Sequence, residues 1–83
     1  MESYREKFCL EKERLNELEN LCKNFNLEKI ETPKYLTIYR NDDLLVQNVS
    51  KEGKSKILIS SNKKEIYNSF MKKFYEIYEL CEN

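Results

Sequence analysis

The residues best suited to covalent chemistry in this chain are its three cysteines, because the 83-residue sequence contains no histidine. Cys9, Cys22 and Cys81 are far apart, and their spacing does not match a zinc-binding motif. Each lies beside apolar positions of a predicted helix, which is typical of reduced, buried thiols. General acid-base chemistry at neutral pH would need a Cys, Lys or carboxylate with a strongly shifted pKa in a formed pocket. We therefore expect no enzymatic activity, no bound metal and no cofactor.

Apolar and aromatic residues on one face of a predicted sheet are candidates for binding instead. Two tyrosines and two leucines beside positive charge have the composition of a protein-binding patch. An antiparallel sheet can also carry aromatic cross-strand pairs on its solvated face for stability alone. The predicted patch comprises Tyr35, Tyr39, Arg40, Leu45, Lys56 and Leu58.

A second candidate is a group of lysines near the start of a predicted C-terminal helix. The helix dipole disfavours positive charge at Lys63 and Lys64, so these residues break a local rule. Their ammonium groups, with the free N–H groups of the first turn, could bind phosphate or carboxylate oxygens. Solvated surface lysines are the alternative interpretation. The chain as a whole has zero net charge, whereas residues 34–64 carry +4. The positive strip is extended by Lys51, Lys54 and Lys56.

The N-terminal third of the chain has the pattern of an amphipathic helix. A capping-box pattern over Ser3 to Glu6 predicts that this helix begins near Tyr4. Asn24 and Asn26 tolerate left-handed backbone geometry and predict its end around Lys23 to Phe25. Apolar residues at helical spacing form the predicted core stripe: Phe8, Leu15, Leu18, Leu21, Cys22 and Phe25.

The middle of the chain contains three short runs rich in β-branched and aromatic residues. They predict strands at about Tyr35 to Arg40, Leu44 to Val49 and Lys56 to Ser60. Asn41 to Asp43 form a tight turn and Ser50 to Ser55 a looser one, so antiparallel pairing is predicted. Because successive side chains of a strand point to opposite faces, the predicted strands have an inward set and an outward set. The side chains predicted to point inward are Leu36, Ile38, Leu44, Val46, Ile57 and Ile59. Those predicted to point outward are Tyr35, Thr37, Tyr39, Leu45, Gln47, Lys56 and Leu58.

The C-terminal part predicts a second amphipathic helix. Asn62 followed by Glu65 is an N-cap signature, so the helix is predicted from Lys63 to about Cys81. Its wide apolar surface could cover the sheet and also form a homodimer seam. The predicted fold class is α+β, with a helix, a three-stranded antiparallel meander and a helix, and with both helices on one sheet face. All 83 residues form one domain.

The predicted order of elements resembles that of two known families. The order helix, three strands, helix, with Ser61-Asn62-Lys63-Lys64 opening the last helix, resembles a double-stranded-RNA-binding domain. In that family a Ser-Lys-Lys element at this place binds phosphates across the groove, so the resemblance implies that role for Lys63 and Lys64. The size and element order also resemble those of small phage anti-CRISPR-type inhibitor proteins, which occupy a surface of a host nuclease complex.

The amino-acid usage indicates an AT-rich genome, that of a bacterium or its phage, because residues with GC-rich codons are scarce. No apolar run has the length of a membrane span or signal-peptide core, so a cytoplasmic protein without membrane contact is expected. We predict a small non-enzymatic protein that occupies a surface of a protein or nucleoprotein partner, as an inhibitor of a host defence nuclease. The alternatives are a nucleic-acid binder that uses the basic turn and the start of the second helix, and a structural homo-oligomer.

Overall fold

The chain folds into a five-stranded antiparallel sheet with two helices on one of its faces. The computed structural model describes residues 3–78, except for the side chain of Lys51. The strand order is β1-β5-β4-β3-β2. The α+β class is confirmed, whereas the three-stranded meander is wrong because the sheet has two further strands. The elements are β1 (Tyr4–Glu11), a 3-10 turn (Lys12–Arg14), α1 (Leu15–Asn24), β2 (Glu28–Glu31), β3 (Leu36–Arg40), β4 (Leu44–Lys51), β5 (Lys54–Ser61) and α2 (Lys64–Ile77).

The segment predicted to open the first helix is an edge strand. β1 pairs with β5 along its whole length, from Tyr4 opposite Ser61 to Glu11 opposite Lys54. This pairing gives the main-chain groups on one side of β1 their hydrogen-bond partners and buries Leu10 completely. The capping box and the helix start near Tyr4 are therefore wrong. Every second side chain of β1 faces the helices: Tyr4, Glu6, Phe8 and Leu10.

The end of α1 agrees with the prediction from its asparagines. Asn26 has the left-handed value φ = 60°. Its N–H donates to the Lys23 carbonyl at 2.9 Å, and the Leu27 N–H donates to the Cys22 carbonyl at 3.0 Å. These two bonds form a Schellman motif, which satisfies carbonyls that the helix leaves without partners. The chain then enters β2, a short edge strand that pairs with β3.

The hairpin between β3 and β4 has a shorter loop than predicted. The Asn41 N–H donates to the Leu44 carbonyl at 3.0 Å, so only two residues lie between the closing pair. The Asn41 side chain stabilises this loop, because its Oδ1 accepts the N–H groups of Asp43 and Leu44 at 2.8 and 2.9 Å. Arg40 therefore lies opposite Leu45.

This register reverses the predicted faces of β3. Residues directly opposite each other share a face, and moving the pairing by one residue exchanges the faces of a whole strand. Leu36 and Ile38, predicted to point inward, share the face of Leu45. Thr37 and Tyr39, predicted to point outward, share the face of Val46. The predicted faces of Leu44, Val46, Ile57, Ile59, Leu45, Gln47, Lys56 and Leu58 are correct.

The hairpin between β4 and β5 is also tighter than predicted. Its loop consists of Glu52 and Gly53, and both residues have positive φ, at 42° and 83°. Two successive residues with positive φ form the type I′ turn that matches the twist of antiparallel strands. The loose turn from Ser50 to Ser55 is therefore wrong, and both strands extend to the pair Lys51 and Lys54.

The start of α2 depends on a serine of β5 rather than on Asn62. The N-cap residue is Lys63, and its side chain makes no cap hydrogen bond. Ser61 Oγ accepts the Lys63 N–H at 3.0 Å and donates to the Asp43 carbonyl at 2.5 Å. One hydroxyl thus joins the end of β5 to the β3–β4 turn and to the helix start. α2 ends at Ile77, and Tyr78 is extended with ψ = 131°, so the predicted helix to about Cys81 is too long; the part of that prediction beyond Tyr78 lies outside the described residues.

The core lies between the helices and the inner face of the sheet. The core side chains are Leu10, Leu18, Leu21, Cys22, Leu27, Tyr39, Leu44, Val46, Ile57, Ile59, Tyr67, Phe70, Met71 and Phe74.

Within residues 3–78, neither helix has the length and apolar character needed to cross a membrane.

Candidate functional site

The face of the sheet opposite the helices has no covering element within residues 3–78. We call it the outer face. All its described side chains are half-buried or exposed, in contrast to the buried inner set. The outer face comprises Arg5, Lys7, Cys9 and Glu11 of β1, Lys54, Lys56, Leu58 and Ser60 of β5, Leu45, Gln47 and Val49 of β4, Leu36, Ile38 and Arg40 of β3, and Glu28 and Ile30 of β2.

The strand register sets these side chains in rows across the sheet. In the central row, Lys7 lies opposite Leu58, which lies opposite Gln47. The same row continues through Ile38 to Ile30 on the far edge. Neighbouring strands are about 4.8 Å apart, so this row crosses the face in about 19 Å. It begins with a cation and ends with two aliphatic side chains.

Two open grooves lie at this face. One has a volume of about 570 Å³, and its lining includes Arg5, Arg40 and Ser60. The other has a volume of about 470 Å³, and its lining includes Lys7 and Lys56. Leu58 contributes to both grooves, so they adjoin along β5. The first groove is also lined by Asp42 and Asp43, so its carboxylates balance its two arginines. The second groove, which Phe8 and Tyr78 also line, combines apolar walls with positive charge.

Positive charge predominates on the outer face. Its described cations are not among the ion pairs formed within residues 3–78. The ion pairs given by the structure lie elsewhere. Lys63 Nζ is 3.0 Å from Asp43 Oδ1, and Arg14 Nη1 is 2.9 Å from Glu17 Oε1. Lys29 Nζ lies 2.5 Å from Glu19 Oε2 and 3.1 Å from Glu31 Oε2. The outer face carries the cations Arg5, Lys7, Arg40, Lys54 and Lys56 and the carboxylates Glu11 and Glu28.

The structure brings five of the predicted site residues together and separates the other four. Lys63 and Lys64 lie at the start of α2, beside the β3–β4 turn. Lys63 is held there by Asp43, whereas Lys64 is exposed. The five that share the outer face are Arg40, Leu45, Lys54, Lys56 and Leu58.

Neither predicted tyrosine lies on the outer face. Tyr39 is only 6% exposed and belongs to the core, where burial and the nearby Glu19 raise the pKa of its phenol. Tyr35 precedes β3, has φ = 63° and is 80% exposed. Its carbonyl accepts the Ser50 N–H at 3.1 Å, which fixes the backbone while the ring points away from the core.

Several outer-face residues were missed because their strands were assigned wrongly. Arg5, Lys7 and Cys9 come from β1, which was predicted to be helical. Leu36 and Ile38 were predicted to point inward. The period-two spacing of Phe8 and Leu10, with Tyr4 at the same parity, is the signal that could have identified β1, although Glu6 interrupts it.

The two described thiols lie on opposite sides of the sheet, Cys22 in the core and Cys9 on the outer face. Cys22 is fully buried, and burial followed by the charge of Glu19 raises the pKa of its thiol to about 12, so it remains protonated. Cys9 is a half-buried free thiol on the outer face, and Cys81 lies outside the described residues. Between Ser3 and Tyr78, no three His, Cys, Asp or Glu side chains are grouped to hold a metal ion. Comparison of the chain with family models, with curated proteins and with solved structures found no match.

Proposed function

We propose that this protein is a small binding protein that docks through its outer face onto a macromolecular partner. The observation that carries the proposal is the aliphatic character of an uncovered sheet face. Leu36 and Ile38 on β3 and Leu45 on β4 are the kinds of residue that normally lie under a covering layer. A solvated face of an antiparallel sheet usually carries polar residues, and contiguous exposed apolar surface marks interaction sites.

Binding by this face would be sufficient for an inhibitory role. A partner surface covered by this domain cannot engage its own substrate or subunit. The element order on which the resemblance to small phage inhibitor proteins rested is not that of this fold, which begins with a strand, so only small size is shared. As in those proteins, we propose a host nuclease complex as the protein or nucleoprotein partner. The bacterial or phage origin that the amino-acid usage indicates is compatible with it.

The test is affinity capture of the tagged full chain from a bacterial host lysate, with and without added nuclease. Ile38→Glu places a charge in the aliphatic part of the outer face and should abolish capture of a nuclease-resistant partner. Asn68→Glu introduces the same charge at an exposed position of α2 and should leave capture unchanged. Circular dichroism confirms that both variants fold. Equal capture by the two variants would refute the proposal.

Two other outcomes would assign the function elsewhere. Capture that depends on RNA and is lost in Lys63→Ala with Lys64→Ala would establish the basic helix start as the site. A homodimer through the helices would need a residue that the monomer leaves exposed. Met71 is buried, so the informative position is Tyr75, which is 52% exposed. A mass from analytical ultracentrifugation that falls in Tyr75→Glu would indicate such a dimer.

A further inference from the structure

The outer face is divided into two halves of different chemistry. One half, formed by β1 and β5, is basic. The other, formed by β2, β3 and β4, is mostly aliphatic, with Arg40 opposite Glu28 at its margin. The basic half carries Arg5, Lys7, Lys54 and Lys56 against Glu11, and the aliphatic half carries Ile30, Leu36, Ile38, Leu45 and Val49.

Resting on the proposed function, we propose that the partner segment bound here is an acidic amphipathic helix of a protein. Its apolar side lies over β3 and β4, and its carboxylates lie over β5 and β1. Charge complementarity selects this occupant, because the cations of the basic half are not among the ion pairs formed between Ser3 and Tyr78. Lys29 and Lys63, away from this face, already have carboxylate partners.

The dimensions of the face suit a single helix. Two neighbouring strand spacings measure about 10 Å, close to the diameter of a helix with its side chains. β4 and β5 have eight residues each, which corresponds to about 27 Å, or about 18 residues of helix. A helix along the boundary between these strands reaches Lys56 on one side and Ile38 on the other.

A nucleic-acid strand fits the same face less well. Proteins that bind single strands stack bases on aromatic rings, and the described strand residues of the outer face include no aromatic side chain. The aromatic residues Phe8 and Tyr78 line only the groove beside Lys7, at the β1 edge. The side chains of the aliphatic half would also offer no favourable contact to the charged sugar-phosphate backbone. A phosphate backbone would use the basic half alone, so the two partners differ in their dependence on Ile38.

The experiment is a selection of random peptides of about 18 residues, displayed on phage, against the immobilised full chain. We expect recovered peptides to be enriched in acidic residues beside apolar residues at helical spacing. The affinity of the recovered peptides for the protein is measured by fluorescence anisotropy. It should fall at least about tenfold in the double variant Lys7→Glu, Lys56→Glu and also in the single variant Ile38→Glu. The matched control is Lys72→Glu with Lys73→Glu, which makes the same charge change on the exposed surface of α2.

The other outcomes separate this inference from the proposed function. Peptides without acidic enrichment whose binding still depends on Ile38 would overturn the acidic helix and leave the outer face as the binding surface. Peptides that bind Ile38→Glu as tightly as the original chain would overturn the proposed function. An RNA duplex probe that binds through Lys7 and Lys56, with no acidic peptide recovered, would identify nucleic acid as the partner and also overturn the inference.

Discussion

The two faces of the sheet contain similar aliphatic residues in different surroundings. On the inner face, Ile57 and Ile59 are fully buried beneath helices whose core includes Phe70 and Phe74. On the outer face, Ile38 and its neighbours remain half-buried with nothing above them. A fully buried Val, Leu or Ile side chain contributes about 1.5–3 kcal/mol. The inner residues therefore supply stability, whereas the outer residues keep part of their apolar surface exposed for a partner.

The largest expected contrast is between an inner aromatic and an outer aliphatic residue. Phe74 is fully buried, and its ring centroid lies 4.8 Å from that of Phe8. Phe74→Ala should lower the free energy of unfolding by about 3–5 kcal/mol, because it removes apolar contacts and leaves a cavity. Leu45→Ala on the outer face should cost about 1 kcal/mol or less. Urea unfolding followed by circular dichroism measures both, and equal losses would show that the outer face is covered in solution.

Two adjacent residues of β3 provide the sharpest comparison. Tyr39 is buried on the inner face, and Ile38 lies on the outer face. Tyr39→Ala should lower the unfolding free energy by about 3 kcal/mol, whereas Ile38→Ala should cost about 1 kcal/mol or less. Partner binding should respond in the opposite way, being weakened by Ile38→Ala and retained in Tyr39→Phe. The reverse pattern in thermal melts and capture assays would mean that the β3 register is shifted by one residue.

Deprotonation of a buried thiol and of two buried phenols on the helix side of the sheet should make the protein less stable in alkaline solution. Burial and Glu19 raise the pKa of the Cys22 thiol from 9.0 to about 12, and burial also raises the phenol pKa values of Tyr39 and Tyr67. A group whose pKa is higher in the folded state than in the unfolded state contributes fully to the free energy of unfolding at pH values below its unfolded-state pKa. This contribution is lost as the pH rises toward the folded-state pKa.

For Cys22 this loss begins near pH 9 and should reach about 1–2 kcal/mol by about pH 10.5. Melting temperatures from neutral to alkaline pH measure it. Cys22→Val should make this decline shallower, while an outer-face change such as Leu58→Val should not. A melting temperature that stays constant across this range would contradict the prediction.

The smallest effect concerns a hydrogen bond that joins α2 to the edge strand. The Tyr67 hydroxyl donates to Glu6 Oε1 at 2.8 Å, and Glu6 is the one charged side chain that β1 directs toward the helices. Tyr67→Phe should lower the unfolding free energy by about 1 kcal/mol. A double-mutant cycle with Glu6→Gln isolates the pair, and additive losses would show that the bond contributes nothing.

The fold can be predicted from sequence where interactions are local. The positions of β3, β4, β5 and α2 are predicted to within a few residues. The three strands follow one another along the chain and pair in that order, and the apolar residues of each segment follow either a strand period or a helix period. The two edge strands are not identified. β2 is too short and charged, and Phe8 of β1 fits a helical stripe as well as an alternating one. Pairing with β5, on a distant part of the chain, decides in favour of a strand.

The candidate site depends on details that alternation alone does not contain. The prediction placed three residues in the β3–β4 turn, whereas the hydrogen bonds of Asn41 Oδ1 favour two. That single residue reverses β3, moving Tyr39 into the core and Ile38 onto the outer face. Lys56 of β5 required no such detail and is placed correctly on the outer face, whereas Lys54, predicted to lie in the turn, belongs to β5.

The position of β1 has a consequence for how the molecule folds. β3, β4 and β5 join through two-residue turns, whereas β1 pairs with a strand that lies near the other end of the chain. Closing that long loop costs chain entropy before its contacts form, so we expect β1 to join after the folding barrier has been crossed. Substitutions in β1 should then mainly accelerate unfolding. Because β1 supplies Arg5 and Lys7, the binding surface would be completed only in the last step of folding.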